Sequence, residues 1–203
     1  MKEFWDERYA EEQYVYGEEP NEFFKEQLDR LEPNRILLPA DGEGRNGVYA
    51  AEKGWDVYAF DISNKGKEKA DQLAKRKGVS INYEVGPLEE MDYSPESFDV
   101  IALIFAHFPP DLKRDYHKQF VKLLKPGGII IFEAFSKDHL DYSSQNPKVG
   151  GPKNIDILYN LEEVKEYFDT LEIQLITQTE VELSEGDYHK GTGSVVRYVG
   201  HKR

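Results

Sequence analysis

Residues 36–61 read ILLPADGEGRNGVYAAEKGWDVYAFD. An apolar run, Ile36-Leu37-Leu38, ends in a turn that carries Gly42, Gly44 and Gly47. An amphipathic segment follows to Gly54, and a second apolar run from Val57 to Phe60 closes on Asp61. Strand, glycine turn, helix, strand and acidic residue in this order describe a right-handed β-α-β unit, with the turn and the carboxylate at neighbouring strand tips. Glycines let a backbone approach a ligand, and a carboxylate on the adjacent tip accepts both hydroxyls of a ribose. Asp61 also suits a cap on a helix from Asn64. Its spacing of about 20 residues from the turn favours the ribose.

Working outward, punctuation and periodicity predict further alternating helices and short buried strands. A helix over Asn21–Leu31, capped by Asn21 and stopped by Pro33, precedes a strand at Arg35–Leu38. Helix Arg45–Lys53, strand Asp56–Asp61, helix Asn64–Lys77 with Gly78 as its stop, and strand Ser80–Val85 come next. Phe98–Ile104 is apolar on both faces, as a central parallel strand is. Helix Asp111–Leu124 ends at Pro126-Gly127-Gly128, which turns the chain into strand Ile129–Phe135. Residues 136–160 hold Asn146-Pro147 and Gly150-Gly151-Pro152 and read as a long loop without a regular element. A helix at Leu161–Phe168 precedes an antiparallel hairpin, Leu171–Leu183 and Gly193–Gly200, around SEGDYHKGTG. The length of 203 residues suits one α/β domain over 1–203, with 1–31 forming an amino-terminal flap and helix.

Composition excludes several functions. With 39 acidic against 26 basic residues the net charge is −13, which repels a polyanion, so no nucleic-acid partner is expected. Cysteine is absent, which removes disulfides, thiolate catalysis and thiolate metal sites. The start, MKEFWDERYAEEQ, lacks the apolar core of a signal peptide, and no apolar run is long enough to span a bilayer. A cytoplasmic chain without a membrane partner, monomeric or homodimeric, is the expectation.

Two cofactors compete for the turn. A dinucleotide needs glycine spacing that seats a pyrophosphate on the helix start. Gly42-Glu43-Gly44-Arg45-Asn46-Gly47 instead places an acidic residue in that turn. A ligand with a ribose for Asp61 and a cationic part that tolerates Asp41 and Glu43 fits better, and S-adenosylmethionine (SAM) has both. The Ala40–Asn46 turn, Asp61, the Phe98-Asp99-Val100-Ile101 strand start and Leu123–Gly128 resemble a class I SAM-dependent methyltransferase across nearly the whole chain. Trp5-Asp6-Glu7-Arg8-Tyr9 and Tyr16-Gly17-Glu18-Glu19-Pro20-Asn21 are similar to the opening segments of the small tellurite-resistance type. The resemblance implies a three-layer, Rossmann-like α/β fold with a seven-stranded, mostly parallel sheet and an antiparallel last strand. It also implies methyl transfer to a small-molecule acceptor. The alternatives are a SAM-binding regulatory or non-catalytic module and a nicotinamide oxidoreductase. Leu38, Ala40 and Pro87 depart from the family, which has an acidic residue, a glycine and, near the adenine, another acidic residue.

The candidate cofactor contacts are Tyr16, Ala40, Asp41, Gly42, Gly44, Asn46, Asp61, Ile62, Pro87, Leu88 and Ile104. Adenine recognition falls to the Leu88 backbone and apolar sandwiching. Trp5, Tyr9, Tyr14 and Tyr16 crowd ahead of the first strand, where an aromatic flap over a sulfonium is favourable. His107, Phe108, His139 and His189 fall at the carboxyl edge of the sheet and are the candidates for acceptor contact. His107 is the leading candidate for proton removal. No close His/Asp spacing demands a metal.

Overall fold

The computed structural model describes residues 1–203. Two helices, α1 (Lys2–Tyr9) and α2 (Glu22–Leu28), lead into β1 (Arg35–Pro39), α3 (Arg45–Glu52), β2 (Asp56–Asp61), α4 (Asn64–Lys77) and β3 (Asn82–Val85). Then follow β4 (Phe98–Ile104), α5 (Pro110–Leu123), β5 (Leu124–Phe135), α6 (His139–Gln145), α7 (Leu161–Tyr167), β6 (Glu172–Glu185) and β7 (His189–His201). The seven strands form one sheet in the order β3-β2-β1-β4-β5-β7-β6. All neighbours from β3 to β5 are parallel, and β7 alone runs against both of its neighbours.

Side chains alternate across a strand, and β1 uses this on both faces. Leu37 joins Ile101, Leu103, Phe120 and Phe132 on the side covered by α5 and α7. Ile36 and Leu38 join Phe24, Val57 and Val100 on the opposite side, under α2 and α3. Leu38, where the resembled family carries an acidic residue, is therefore a core side chain. Burying each such residue contributes about 1.5–3 kcal/mol, and the two layers hold β1 and β2 side by side. Arg35–Pro39 pairs in register with Asp56–Phe60. That register puts the turn after β1 beside the end of β2, and Asp41 N donates to Phe60 O.

The strands Asp56–Asp61 and Phe98–Ile104 and the helix Asn64–Lys77 have the expected limits. Ser63, not Asp61, caps α4, accepting from Gly66 N, and Gly78 ends the helix in the left-handed region. Asn21 caps α2 as expected, accepting from Phe24 N, but the helix stops at Leu28.

Three expectations need correction. Pro126-Gly127-Gly128 does not simply precede β5. The strand begins at Leu124 opposite Phe98, and the tripeptide bulges out before Ile129 pairs with Val100. Residues 136–160 are not irregular, since they hold α6 and a 3-10 turn at Pro147–Val149. Lys113 of α5 ties this segment down, donating to the carbonyls of Asp156 and Leu158. The hairpin strands run longer than the turn-rich sequence implies: Glu185 pairs with His189, leaving a connection of only Gly186-Asp187-Tyr188. Two seven-residue segments of mixed polarity, α2 and α6, carry too little periodic signal for their limits to be read. No helix is long and apolar enough to cross a membrane.

Candidate active site

The turn after β1 is shaped by positive backbone angles. Ala40, Gly42 and Gly44 have φ of 54°, 55° and 83°. Ala40 is the position where the resembled family has glycine, and it takes the left-handed conformation that an alanine adopts at a cost of about 1–2 kcal/mol. Strain of this kind gathers at functional sites. Phe105, just beyond β4, is a second example at φ 50°. Ala40→Gly removes the side-chain penalty and adds backbone entropy to the unfolded chain, so a net gain of up to about 1 kcal/mol is expected. A lowered urea midpoint would contradict it.

A Cβ on Gly42 would lie 2.5 Å from the hydroxyl of Tyr9, and one on Gly44 2.5 Å from Ala70 Cβ. The turn is thus a cradle with α1 on one side and α4 on the other. Asp61 enters it from the tip of β2. Its Oδ2 accepts from Gly42 N at 3.1 Å and its Oδ1 from Ser63 N at 2.9 Å. Burial pushes its pKa up to about 6, against the lowering effect of those backbone donors. Asp41 accepts from Gly47 N at 3.1 Å. Burial pushes it up to about 8, helped by the charge of Asp61 and opposed by Gly47 N and Arg45. A glycine turn flanked by these two carboxyls suits a ligand that carries a cation and vicinal hydroxyls. SAM fits these residues.

Glu43 plays a different part from the one its sequence position implies. Its side chain leaves the cradle, accepting from Val15 N at 2.8 Å and from Lys69 Nζ at 2.8 Å. It therefore anchors the segment after α1 and does not face the ligand, and it is no argument against a pyrophosphate. Asn46 is also committed: its Oδ1 accepts from Asn21 N at 2.9 Å. Tyr9, buried, stands nearest the cradle, and Trp5 stacks on it at 5.3 Å. Tyr16 lies farther along, its ring 4.6 Å from that of His189. Ile62 and Pro87 are half-buried at the edge, while the Leu88 and Ile104 side chains are buried in the two core layers.

His107, His139 and His189 do converge. The rings of all three lie within 6 Å of Phe135, at 5.9, 3.9 and 5.2 Å. Their states differ. Ser194 N donates to His139 Nδ1, so Nε2 carries the proton and donates to Gly150 O at 3.1 Å. With both nitrogens used, His139 is a structural link between α6 and β7. His107 Nδ1 meets Ile157 O at 3.4 Å, and its buried Nε2 has no partner. Phe108 turns away into the core against Tyr116 and Phe120. Its expected acceptor contact is not supported by this packing.

A network the sequence did not announce closes the edge. Arg45 Nη2 lies 2.9 Å from Glu185, and Nη1 donates to the carbonyls of Tyr16 and Glu19. Asn21 Nδ2 donates to Glu133 at 2.7 Å and to Glu185 at 3.0 Å. Asn21 and Glu185 are 164 positions apart, and only the insertion of β7 between β5 and β6 brings them together.

Residues 36–128 match the family model described as a methyltransferase domain. This stretch, a little under half of the chain, resembles a methyltransferase domain. The fold agrees over the whole chain. A protein of echinomycin biosynthesis has a TM-score of 0.78 at 15% identity, covering 100% of this chain and 92% of that one. TehB from Haemophilus influenzae gives 0.71 at 15%, with 100% and 67% covered. Among curated relatives, the uncharacterized methyltransferase YbaJ of Bacillus subtilis is 31% identical over 98 residues, 48% of this chain and 38% of that protein. The ubiquinone biosynthesis O-methyltransferase of Idiomarina loihiensis is 30% identical over 118 residues, 57% and 48%. The tRNA 5-carboxymethoxyuridine methyltransferase of Escherichia coli K12 is 29% identical over 99 residues, 47% and 38%. The chain spans less than half the length of each of these curated relatives.

Proposed function

We propose that the chain transfers the methyl group of SAM to a small-molecule acceptor, with residues 1–31 acting as a flap and helix over a single domain. The observation that carries this is Asp61 at the tip of β2, its carboxylate bonded to the backbone of the glycine turn, which supports the ribose role. In this reading Ala40, Gly42 and Gly44 give the backbone approach, Asp41 favours the cationic end, and Ile62, Pro87 and the Leu88 backbone border the adenine. Bound SAM supplies a methyl carbon already activated by positive sulfur, so the residues around it position the acceptor and exclude water. Tyr9 and Tyr16 would close over the reacting centre, with Glu43 and Arg45 holding the segment that bears them.

The small-molecule acceptor is supported by the net charge of −13, which opposes a polyanion. Isothermal titration with SAM, followed by mass spectrometry of methylated products, tests the proposal. Absence of SAM binding would refute it.

A pH dependence follows from the two carboxyls. A cation and a diol both favour the ionised forms, whereas protons compete for them below about 8 at Asp41 and about 6 at Asp61. SAM affinity should therefore fall on acidification, by about tenfold per pH unit between the two values and approaching about a hundredfold per unit below the lower one. Titrations at pH 5 and 7 measure it, and equal affinities would contradict the assignment. Stability of the free chain shows the opposite sign. The raised values favour folding fully below the ordinary value of 3.8, and that contribution is lost as pH rises through about 6 and 8.

A further inference from the structure

The three histidines are not equivalent as proton acceptors. β7 begins at His189, directly across from Glu185, the last residue of β6. Glu185 Oε2 accepts from His189 Nδ1 at 2.9 Å. A carboxylate only accepts, so Nδ1 carries the proton and Nε2 of the neutral ring has a free lone pair. Nothing in the chain engages that nitrogen. Arg45 lies 2.9 Å from the same Glu185 oxygen, and Asn21 donates to the other at 3.0 Å. The carboxylate is thereby fixed in place and in charge. Burial raises the Glu185 pKa, but Arg45 and His189 more than offset this and hold it down at about 2.

The His189 ring sits among Tyr16 at 4.6 Å, Phe105 at 4.8 Å and Phe135 at 5.2 Å. Tyr16 belongs to the segment after α1 and Phe105 to the strained position after β4, so this ring lies where the flap segment meets the sheet edge. The charged or titratable groups that face it are Glu185, Arg45, Arg8, Tyr16, His107 and His139.

We propose that His189 is the general base of this site, with Glu185 as its positioning residue, and that the acceptor is a neutral molecule bearing a hydroxyl or thiol. The inference rests on the methyl-transfer reading above. Burial lowers the pKa of both rings, but at His189 the bonded Glu185 carboxylate opposes it, whereas only the Ile157 carbonyl backs His107, which is pushed down to about 3. Protonated His189 has Glu185 as a counter-charge, and protonated His107 has none in contact. In the reaction the acceptor oxygen or sulfur forms a bond to the methyl carbon as the carbon–sulfonium bond breaks. That electron pair goes to the departing sulfur, giving S-adenosylhomocysteine. The acceptor proton passes to His189 Nε2 and then to solvent. An anion that needs no deprotonation, such as selenite, gains nothing from this arrangement.

The test uses the full chain with catechol and thiophenol as probe acceptors and selenite as the anionic comparison. Native protein should bind S-adenosylhomocysteine in calorimetry and methylate a protic probe in preference to selenite. His189→Gln should keep the calorimetric affinity and lose methyl transfer by about a hundredfold or more. Glu185→Gln removes the charge that raises imidazole basicity, so the rise of rate with pH should move to lower pH and reach a lower plateau. Transfer undiminished in His189→Gln, or a Glu185→Gln profile superimposable on the native one, overturns the dyad. Native protein that binds SAM yet methylates only selenite, or no probe, overturns the acceptor class while leaving the cofactor reading intact. Native protein that binds neither SAM nor its product overturns both.

Discussion

Asp61→Ala should weaken SAM binding by roughly 100- to 10,000-fold. Two hydrogen bonds from ribose hydroxyls to an ionised carboxylate contribute about 1.5–3 kcal/mol each, and every 1.4 kcal/mol is about tenfold in affinity. The side chain also receives Gly42 N and Ser63 N. Its removal leaves two backbone donors without their partner, which costs about 1–3 kcal/mol for each one kept from water. That loss is offset in part by relief of a carboxylate whose pKa is raised by burial. The fold should therefore persist, with a circular dichroism spectrum like that of the native chain, while titration calorimetry registers the fall in affinity. Affinity within a few fold of native would remove Asp61 from the ribose and with it the main support for the proposed function. Asp61→Asn separates charge from shape, since the amide can keep one accepting oxygen but carries no negative charge.

Gly44→Ala should produce the largest loss of stability at the site, about 2–5 kcal/mol. The φ of 83° accounts for about 1–2 kcal/mol. The new Cβ would also meet Ala70 Cβ at 2.5 Å and Ala70 Cα at 2.9 Å, so α4 must move away from the turn. Overpacking of this kind costs about 1–3 kcal/mol. Against a typical total of about 5–15 kcal/mol, such a change lowers the urea midpoint visibly. Gly78→Ala provides the comparison, because Gly78 has φ of 71° but nothing within 4 Å of an added Cβ. It should lose only the backbone contribution. Equal losses in the two variants would show that the contact between α4 and the turn is not under steric compression.

Much of this architecture was legible because the informative residues are local. The β2 and β4 strands and α4 have strong periodicity and clear stops, and their limits agree with the structure. The glycine turn and Asp61 lie within one β-α-β unit, so register alone joins them. What escaped were contacts made by topology. Asn21, Arg45, Glu133 and Glu185 come from the cap of α2, from α3, β5 and β6, and nothing in their local sequence marks them as neighbours. Glu43 was misread for a related reason: its position in the turn was evident, but not which way its side chain pointed. Lys69, one α4 face away, decides that. His139 shows the limit of residue type as a guide, because two backbone groups consume both of its nitrogens.

The three-residue connection between β6 and β7 places a constraint on how related chains can diverge. Glu185 and His189 form the last rung of the ladder, and Gly186 presses against the flap, where a Cβ would lie 2.0 Å from Val15 O. Side chains in a strand alternate faces, so a one-residue insertion or deletion there would send His189 to the opposite face of the sheet and break its pairing with Glu185. Substitutions at Asp187 or Tyr188 keep the count and leave that pairing in place. Loop length, more than loop composition, is therefore the property to compare when asking which sequences of this fold have kept the same arrangement.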